Sequence, residues 1–194
     1  MARLSLWSLR KLLIVEWTPV TEIELIPPLG DELKMHLEGY YGAVRHASYS
    51  AWNLLYKTLI DNNLPVSAVS FTKTGKPYFM DSTIHFSLSH SHGLCAVAVA
   101  DLPVGVDIEL CMKSYKHHLI ERSLCAAEKK VFDGDFTRIW CLKEALAKMT
   151  GKGIIGYPRN IDTTKIRSCL KKRFLFDSCN YWLCAVNQES IIGA

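Results

Sequence analysis

The apolar run from Leu94 to Ala100 constrains the fold more than any other part of the sequence. All of its side chains are apolar and compatible with a strand, so the run predicts a buried β-strand. Residues 101–103 predict a turn, and a second strand is predicted from Val104 to Leu110. The chain is therefore expected to build its core around at least one sheet.

Helical and extended patterns alternate through the rest of the chain. Apolar residues at helical spacing follow Asp31, recur over residues 45–60 and 118–132, and are strongest from Thr137 to Met149. Further strands are predicted at residues 66–71, 84–88, 174–176 and 181–186. Each half holds a helical part and apolar strands, which predicts an α+β architecture of two lobes, residues 1–102 and residues 103–194.

Composition and charge restrict the partners of the chain. Of its 194 residues, 49% are hydrophobic and 22% charged, a balance typical of a globular protein with a real core. The formal net charge of +4 is mild. It favours an anionic small molecule or an acidic protein over nucleic acid, which needs a concentrated basic stripe. Nucleic-acid binding is therefore not expected. The apolar N-terminal stretch is too short to span a bilayer, so membrane binding is not expected either.

The cysteines indicate a reducing environment. Their number, seven, is odd, and no CxxC pair occurs, so neither a disulfide framework nor a zinc ribbon is indicated. Reduced thiols, mostly buried as small apolar residues, are the simplest explanation. Such thiols are typical of the cytosol, and a cytoplasmic location is therefore expected.

Two carboxylates stand two residues apart in the predicted strand from Val104 to Leu110. Side chains at this spacing point to the same side of a strand, so Asp107 and Glu109 share a face opposite the apolar Val106. Paired carboxylates suit Mg²⁺, which prefers oxygen ligands and usually takes only one or two protein carboxylates. The alternative is a half-exposed edge strand with solvated acids.

A third carboxylate lies in the predicted helix from Thr137 to Met149. Glu144 and Lys148 are one turn apart on one face of this helix, and Lys143 lies about 100° around it, where it can flank the same opening. In an arbitrary helix such a pair is a surface ion pair. Glu144 becomes part of a site only if it faces the two acids of the predicted strand.

Two short segments carry groups suited to phosphate. Residues 87–91 include Ser89 and His90, whose hydroxyl and imidazole can form hydrogen bonds with phosphate oxygens. Lys76 stands in the turn Gly75-Lys76-Pro77 and can meet phosphate as a point charge. Structural turns are the alternative for both segments. A serine-hydrolase role is disfavoured because adjacent residues in a strand point apart, and no standard glycine-rich nucleotide loop is present.

Taken in order, these motifs resemble the 4'-phosphopantetheinyl transferase superfamily. The matching elements, within residues 70–155, are Gly75-Lys76-Pro77, Phe86-Ser87-Leu88-Ser89-His90-Ser91, Gly105-Val106-Asp107-Ile108-Glu109, Glu128, the segment Trp140 to Lys148, and Gly151-Lys152-Gly153. Length and layout are similar to the larger, monomeric, surfactin-synthetase-activating type. The resemblance implies two pseudo-symmetric lobes, each with a small sheet packed on a helix.

The resemblance also implies an activity. Such an enzyme moves 4'-phosphopantetheine from coenzyme A to a serine of an apo acyl or peptidyl carrier protein and releases 3',5'-ADP. By this resemblance Asp107, Glu109 and Glu144 bind Mg²⁺, or Mn²⁺, which holds the coenzyme A diphosphate. The implied catalytic residues are Glu144 as the base, Lys148 at the leaving nucleotide, and Asp107. The implied coenzyme A ligands are Arg45, Lys76, Pro77, Ser89, His90, Lys143, Lys148 and Lys152.

The sequence departs from the family on the helix before the Gly-Lys-Pro turn. Family members usually carry basic residues there that reach the 3'-phosphate. Arg45 and His46 are the nearest basic residues in this chain, and Trp52 stands where some relatives have arginine. An altered affinity for coenzyme A is the expected consequence.

Two other functions are compatible with the motifs. One is a non-catalytic module that binds coenzyme A or a carrier protein, although a retired enzyme has no physical need to keep three repelling carboxylates together. The other is a magnesium nuclease that uses Asp107, Glu109 and a lysine, for which the chain lacks a concentrated basic and aromatic groove. For the transferase, residues 111–124 are the expected surface for the carrier protein.

Overall fold

Nine strands and five helices make up the part of the chain that the structure describes. The computed structural model describes residues 12–22, 27–154 and 158–191 in full and residues 2–5 as backbone. The strands are β1 (Ala2–Ser5), β2 (Leu13–Pro19), β3 (Val69–Phe71), β4 (Pro77–Phe79), β5 (His85–Ser91), β6 (Leu94–Ala100), β7 (Val104–Leu110), β8 (Leu170–Phe176) and β9 (Cys179–Asn187). The helices are α1 (Asp31–Glu38), α2 (Gly42–Asp61), α3 (His117–Ser123), α4 (Ala126–Lys130) and α5 (Phe136–Thr150).

The first sheet is antiparallel, with the strand order β1-β2-β6-β5. β6 is buried at every position because it pairs with strands on both sides and is covered on both faces. Its side chains alternate between two cores. Cys95, Val97 and Val99 pack with the buried face of α2. Ala96, Ala98 and Ala100 pack against the second sheet, and their small size lets the two sheets approach closely.

The second sheet has the strand order β7-β9-β8, again antiparallel. Val104, Val106 and Ile108 of β7 are fully buried and face the alanines of β6. The opposite face is covered by α5, whose buried Leu142 and Leu146 pack with Val186 of β9. A small third sheet pairs β3 with β4 and carries the turn at residues 74–76.

The ends of α5 follow from its sequence. The side chain of Asp135 accepts a hydrogen bond from the backbone nitrogen of Arg138 at 3.0 Å and so caps the N-terminus of the helix. Gly151 ends the helix in the left-handed region, with φ of 70°, a conformation that glycine adopts at little cost. This helix carries three of the predicted site residues, Lys143, Glu144 and Lys148.

Most predicted elements are confirmed, and a few differ. β6 and β7 begin and end where they were predicted, and α5 is longer by one residue at each end. Residues 118–132 form two helices rather than one, because Cys125 takes an extended conformation and caps α4. β4 was not predicted. The mixed architecture of helices and small antiparallel sheets is confirmed, whereas the two pseudo-symmetric lobes stay a prediction. None of the described helices combines the length and hydropathy of a membrane span.

Candidate active site

A cleft of about 450 Å³ opens where β5, β7 and α5 meet the helices α1 and α2. It combines carboxylates from β7 and α5, polar groups from β5, and aromatic side chains from α1, α2 and β3. The residues predicted from the sequence that line this cleft are Pro77, Ser89, His90, Asp107, Glu109, Glu144 and Lys148. Glu144 and Lys148 therefore face the same cleft as the acidic pair of β7, which was the condition for assigning them to a site.

Gly105 explains how β7 and α5 come so close together. A Cβ atom at this position would collide with the carbonyl oxygen of Ala145 and would lie 2.6 Å from the backbone nitrogen of Met149. Because residues two apart in a strand share a face, Gly105 shares its face with Asp107 and Glu109. The missing side chain thus lets α5 cross β7 directly beside the two acids.

Asp107 is the most deeply buried group of the site, with 2% of its surface exposed. Its Oδ1 accepts hydrogen bonds from Lys148 Nζ at 2.6 Å and from Ser89 Oγ at 2.7 Å. Lys148 Nζ also donates to Ser89 Oγ at 2.8 Å. The second carboxylate oxygen of Asp107, Oδ2, is buried and has no hydrogen-bond partner among the described residues. One oxygen is therefore fixed by the protein and the other is left for a ligand.

The two other carboxylates are harder to ionise than ordinary glutamates. Burial, and then repulsion from Asp107, raises the pKa of Glu109 to about 7. The pKa of Glu144 is raised for the same two reasons, in the same order, and the charge of Lys148 opposes the shift. The site therefore holds three acids whose negative charges destabilise one another, which is the electrostatic setting that a bound cation relieves.

Alternate serines join β5 to β7. Ser87 Oγ accepts a hydrogen bond from the backbone nitrogen of Val106 at 3.1 Å, and Ser89 Oγ accepts one from Ile108 at 3.3 Å. Further along, Ser91 Oγ donates to Glu109 Oε2 at 3.0 Å. We call these three residues the serine seam. It joins strands of the two larger sheets through side chains and places the Ser89 hydroxyl against Asp107.

The donor set fits Mg²⁺. A buried carboxylate oxygen without a partner costs free energy, and Asp107 Oδ2 is such an oxygen. Glu109 and Glu144 line the same cleft and supply the oxygen ligands that this cation prefers. Asp107, Glu109 and Glu144 are thus the residues suited to hold it.

The structure corrects the expected position of Lys143. This lysine is fully buried, and its Nζ lies 2.6 Å from Glu128 Oε2. It also donates to the carbonyl oxygens of Pro158, at 3.2 Å, and Ile161. It therefore faces away from the cleft and cannot line a phosphate entrance, because the helix turns it about 100° from Glu144.

Glu128 belongs to a second acidic group, which is structural in character. Ligand atoms of Cys125, Glu128 and Asp162 lie within 4.8 Å of one another. The carboxylate of Glu128 is already occupied, since it pairs with Lys143 and accepts hydrogen bonds from Thr163 and from the backbone of Cys125. Because a lysine already neutralises this carboxylate, the group ties α4 to α5 rather than offering a cation site.

Besides Lys143, three other predicted coenzyme A ligands lie outside the lining of the cleft. Lys76 lines a neighbouring cavity of about 270 Å³, where its Nζ donates to the carbonyl oxygen of Met149 at 2.5 Å. Lys152 is exposed and lines a separate cavity of about 480 Å³ with the end of α5. Arg45 donates to the carbonyl oxygen of Tyr40 at 3.4 Å, and its guanidinium lies 4.8 Å from the ring centre of Tyr49.

Sequence reasoning missed an aromatic side of the cleft. It consists of His36, Tyr40, Trp52 and Phe71, and we call these residues the aromatic wall. The ring of His36 lies 4.3 Å from that of Phe71, and its Nε2 is 2.9 Å from the Tyr40 hydroxyl. The sequence identifies only Trp52 among them, as a departure from the family. The helical spacing of His36 and Tyr40, four residues apart, was a signal, but nothing in the sequence brought Phe71 to them.

Comparison with known proteins agrees with this geometry. Residues 103–188 match the family model of the 4'-phosphopantetheinyl transferase superfamily. This stretch of the chain is therefore similar to that superfamily. The matched stretch contains β7 and α5, the two elements that bring the three carboxylates of the cleft together, so the resemblance found from the motifs is confirmed.

Two proteins that are similar to this chain are named 4'-phosphopantetheinyl transferases. The chain is 36% identical over 102 residues to the 4'-phosphopantetheinyl transferase psf-1 of Bacillus pumilus, a match that covers 47% of this chain and 43% of that relative. It is 33% identical over 101 residues to the 4'-phosphopantetheinyl transferase gsp of Aneurinibacillus migulanus, which covers 47% of this chain and 42% of that relative. The chain thus spans less than half the length of the relatives it matches.

Proposed function

We propose that this protein transfers 4'-phosphopantetheine from coenzyme A to the hydroxyl of a serine on an apo carrier protein, with Mg²⁺, and releases 3',5'-ADP. The observation that carries the proposal is the meeting of Asp107, Glu109, Glu144 and Lys148 in one cleft. A surface ion pair would not bring a buried aspartate, two glutamates with raised pKa values and a lysine to one opening.

The reaction breaks the bond between the pantetheine phosphorus and the oxygen that bridges the two phosphates. The serine oxygen forms the new bond to phosphorus, and the bridging oxygen leaves with the nucleotide. Glu144 is the proposed acceptor of the serine proton, directly or through water, because its raised pKa makes it more basic than an ordinary glutamate. The side chain of Lys148 is 31% exposed, so its ammonium group can reach the departing oxygen.

Asp107, Glu109 and Glu144 are the proposed Mg²⁺ ligands. When bound, the cation supplies charge neutralisation at the diphosphate. Asp107 additionally orients Lys148 and Ser89 through the hydrogen bonds to its Oδ1. Ser89, His90 and Pro77 border the cleft beside these groups and are proposed to contact the donor.

The proposed partner is an acyl or peptidyl carrier protein that is acidic around its serine. The net charge of +4 favours encounter with such a surface, most strongly at low salt. The seven thiols, none of them paired in the structure, support a cytosolic setting, and the family resemblance supports a monomer. The pathway served by the carrier is a separate question, which a panel of carriers addresses.

The test is the mass of apo carrier proteins after incubation with the protein, coenzyme A and Mg²⁺. Wild type is expected to add one phosphopantetheine group to a serine. Glu144→Gln, which keeps the shape and removes the base, is expected to lower the rate by about 100-fold or more. Glu22→Gln, at an exposed glutamate outside the lining of the cleft, is the control and should leave the rate unchanged.

The opposite results are equally clear. Binding of coenzyme A without transfer to any carrier, with Glu144→Gln equal to wild type, would replace the transferase by a binding module. Metal-dependent cleavage of DNA or RNA that is lost in Asp107→Ala would replace it by a nuclease.

A further inference from the structure

The last turn of α5 is closed by a lysine from a distant part of the chain. The final carbonyl groups of a helix have no partner within the helix itself. Here the carbonyl oxygen of Lys148 accepts a hydrogen bond from the backbone nitrogen of Gly151 at 3.3 Å. The carbonyl oxygen of Met149 instead accepts one from Lys76 Nζ at 2.5 Å, across 73 residues of sequence. The turn that carries Lys148 is thus completed from outside the helix.

The side chain of Lys76 is held along its whole length. Its aliphatic stem packs on Gly151, where an added Cβ would lie 2.9 Å from Lys76 Cδ. Its ammonium group lies at the end of the helix that carries partial negative charge, which favours a cation. Burial lowers the pKa of Lys76, so its charged form depends on the hydrogen bond that replaces lost water.

The backbone of Lys76 is anchored as well. Its nitrogen donates to Thr72 Oγ1 at 3.0 Å, and its carbonyl oxygen accepts from the Thr72 nitrogen at 2.9 Å. The β3–β4 hairpin that contains this turn packs on β5, since the ring centres of Phe79 and Phe86 are 4.4 Å apart. Lys76 therefore reaches α5 from a base that is fixed to β5.

Two contacts consequently join the end of α5 to β5. The first is direct, from Lys148 Nζ to Ser89 Oγ at 2.8 Å. The second runs from β5 through the hairpin to Lys76 and the carbonyl of Met149. Lys76 and Lys148 also line the same cavity of about 270 Å³. Loss of the second contact would leave the last turn of α5 free to shift about the first.

Resting on the proposed function, we infer that Lys76 is a positioning residue, which closes the last turn of α5 and so holds the ammonium group of Lys148 where the bridging oxygen leaves. In this role Lys76 acts through Lys148, whereas the family resemblance implied contact with the donor. The two roles predict different kinetics. A residue that binds the donor alike in ground and transition state affects KM, and a residue that aligns Lys148 affects kcat.

Steady-state kinetics with a carrier protein that the wild type modifies separates these roles. Lys76→Met keeps the stem and removes the ammonium group. It is expected to lower kcat by about tenfold and to leave the KM for coenzyme A within about twofold of wild type, because only alignment is lost. A higher KM with an unchanged kcat overturns the inference.

A neighbouring lysine provides the matched control. Lys73→Met removes the same charge from the same turn, at an exposed side chain outside the lining of the cleft and of the neighbouring cavity. It should equal wild type in both kcat and KM. A loss of kcat equal to that of Lys76→Met would assign the effect to the charge of the turn and overturn the inference.

A conservative variant tests the hydrogen bond itself. Lys76→Arg keeps a cationic donor that can reach the carbonyl oxygen of Met149. Its kcat is expected to return to within about threefold of wild type. An arginine variant as slow as Lys76→Met counts against the proposed contact.

A double-mutant cycle tests whether Lys76 acts through Lys148. In a Lys148→Met background there is no ammonium group left to align, so adding Lys76→Met is expected to change kcat by less than about twofold. Single-turnover measurements give the rates of the slow variants. A full tenfold loss in both backgrounds would show that the two lysines act independently, and the inference would fail.

Hydrogen exchange measures the closure of the helix without any reaction. In the absence of coenzyme A and Mg²⁺, amides in the last turn of α5 are expected to exchange about tenfold faster in Lys76→Met and at the wild-type rate in Lys73→Met. If this holds and the wild type modifies no carrier, the transferase proposal fails while the closure by Lys76 stands. If carriers are modified and exchange in Lys76→Met equals that of wild type, the inference fails and the transferase proposal stands.

Discussion

At the scale of the residue, the site is defined by acids that disfavour one another's charge. Burial and the neighbouring Asp107 raise the pKa of Glu109 to about 7, and the pKa of Glu144 moves in the same direction. Ligands with raised pKa values bind protons in competition with a cation. Both the stability of the metal-free protein and its affinity for Mg²⁺ should therefore depend on pH.

The contribution of Glu109 to the stability of the metal-free protein is expected to fall as the pH rises from about 4.5 to about 7. In that range folded Glu109 binds more protons than it does in the unfolded chain, where its pKa is near 4.5. Ionisation above this range then carries a penalty in the folded state alone. The measurement is the midpoint of urea unfolding against pH in the presence of a chelator. Glu109→Gln should flatten the dependence across this window.

Bound Mg²⁺ is expected to reverse this trend within the same pH range. Ionised Glu109 is a proposed ligand, so the stabilisation by Mg²⁺ should grow as the pH rises to about 7 in wild type. Glu22→Gln, at an exposed glutamate far along the chain from the site, is the control. A pH dependence that is identical in Glu109→Gln and wild type would contradict the assignment.

Sequence reasoning reached part of the site at this scale. The spacing of Asp107 and Glu109 predicted their shared face, and the helical spacing of Glu144 and Lys148 predicted theirs. Lys143 was misplaced because lysines are rarely fully buried, and the reason for its burial, the carboxylate of Glu128, lies in another helix. Such long-range pairing leaves no local pattern in the sequence.

At the scale of the element, the crossing of α5 over β7 positions the acids of the two elements in one cleft. Gly105 permits this crossing, since no side chain separates the strand from the helix backbone at Ala145 and Met149. Backbone atoms on both sides cannot move aside as a flexible side chain could. The distance between strand and helix is therefore fixed by one position.

Gly105→Ala is expected to destabilise the protein by at least about 1–3 kcal/mol, the usual cost of overpacking, because the added methyl group meets backbone atoms of α5. Urea unfolding followed by tryptophan fluorescence measures the loss. Gly39→Ala is the matched control, because Gly39 has φ of −75° and an added Cβ would meet one atom, at 3.4 Å. Equal midpoints for Gly105→Ala and wild type would refute the close crossing.

Elements were predicted well where the pattern was strong and poorly where it was short. The sequence pattern alone is long enough to predict β6, β7 and α5, from apolar runs in the two strands and from helical periodicity in α5. β4 has three residues, begins with Pro77 and depends on pairing with β3, so its sequence alone carries no strand signal. The split between α3 and α4 came from the cap at Cys125, a residue seldom found in that role.

At the scale of the whole molecule, the cleft exists only because distant segments of the chain converge on it. Its lining runs from His36 to Lys148 and uses the first helices as well as the last. Local pattern predicted the motifs, and the family resemblance predicted that they meet. The aromatic wall escaped both, because its members are joined by ring contacts between α1, α2 and β3 rather than by spacing along the chain.

A ligand that engages all these segments should stabilise the whole fold. Coenzyme A and Mg²⁺ at about 100 times the dissociation constant are expected to add about 2.7 kcal/mol to the free energy of unfolding. For a chain of this size that raises the unfolding temperature by roughly 5–10 °C. Asp107→Asn, which removes a proposed ligand of the cation, should lose most of the shift that depends on Mg²⁺. An unchanged shift in this variant, measured by differential scanning calorimetry, would rule out Asp107 as a ligand.

The serine seam couples the integrity of the molecule to the state of its cleft. Ser89 uses one oxygen both to accept the backbone nitrogen of Ile108 and to bond the carboxylate of Asp107. A change in the charge of Asp107 therefore affects the hydrogen bond between Ser89 and the backbone of Ile108, which joins the two sheets. By linkage, a displacement of one sheet against the other affects Asp107 with the same coupling free energy. Binding in the cleft and the contact between the two sheets are therefore coupled through the hydroxyl group of Ser89.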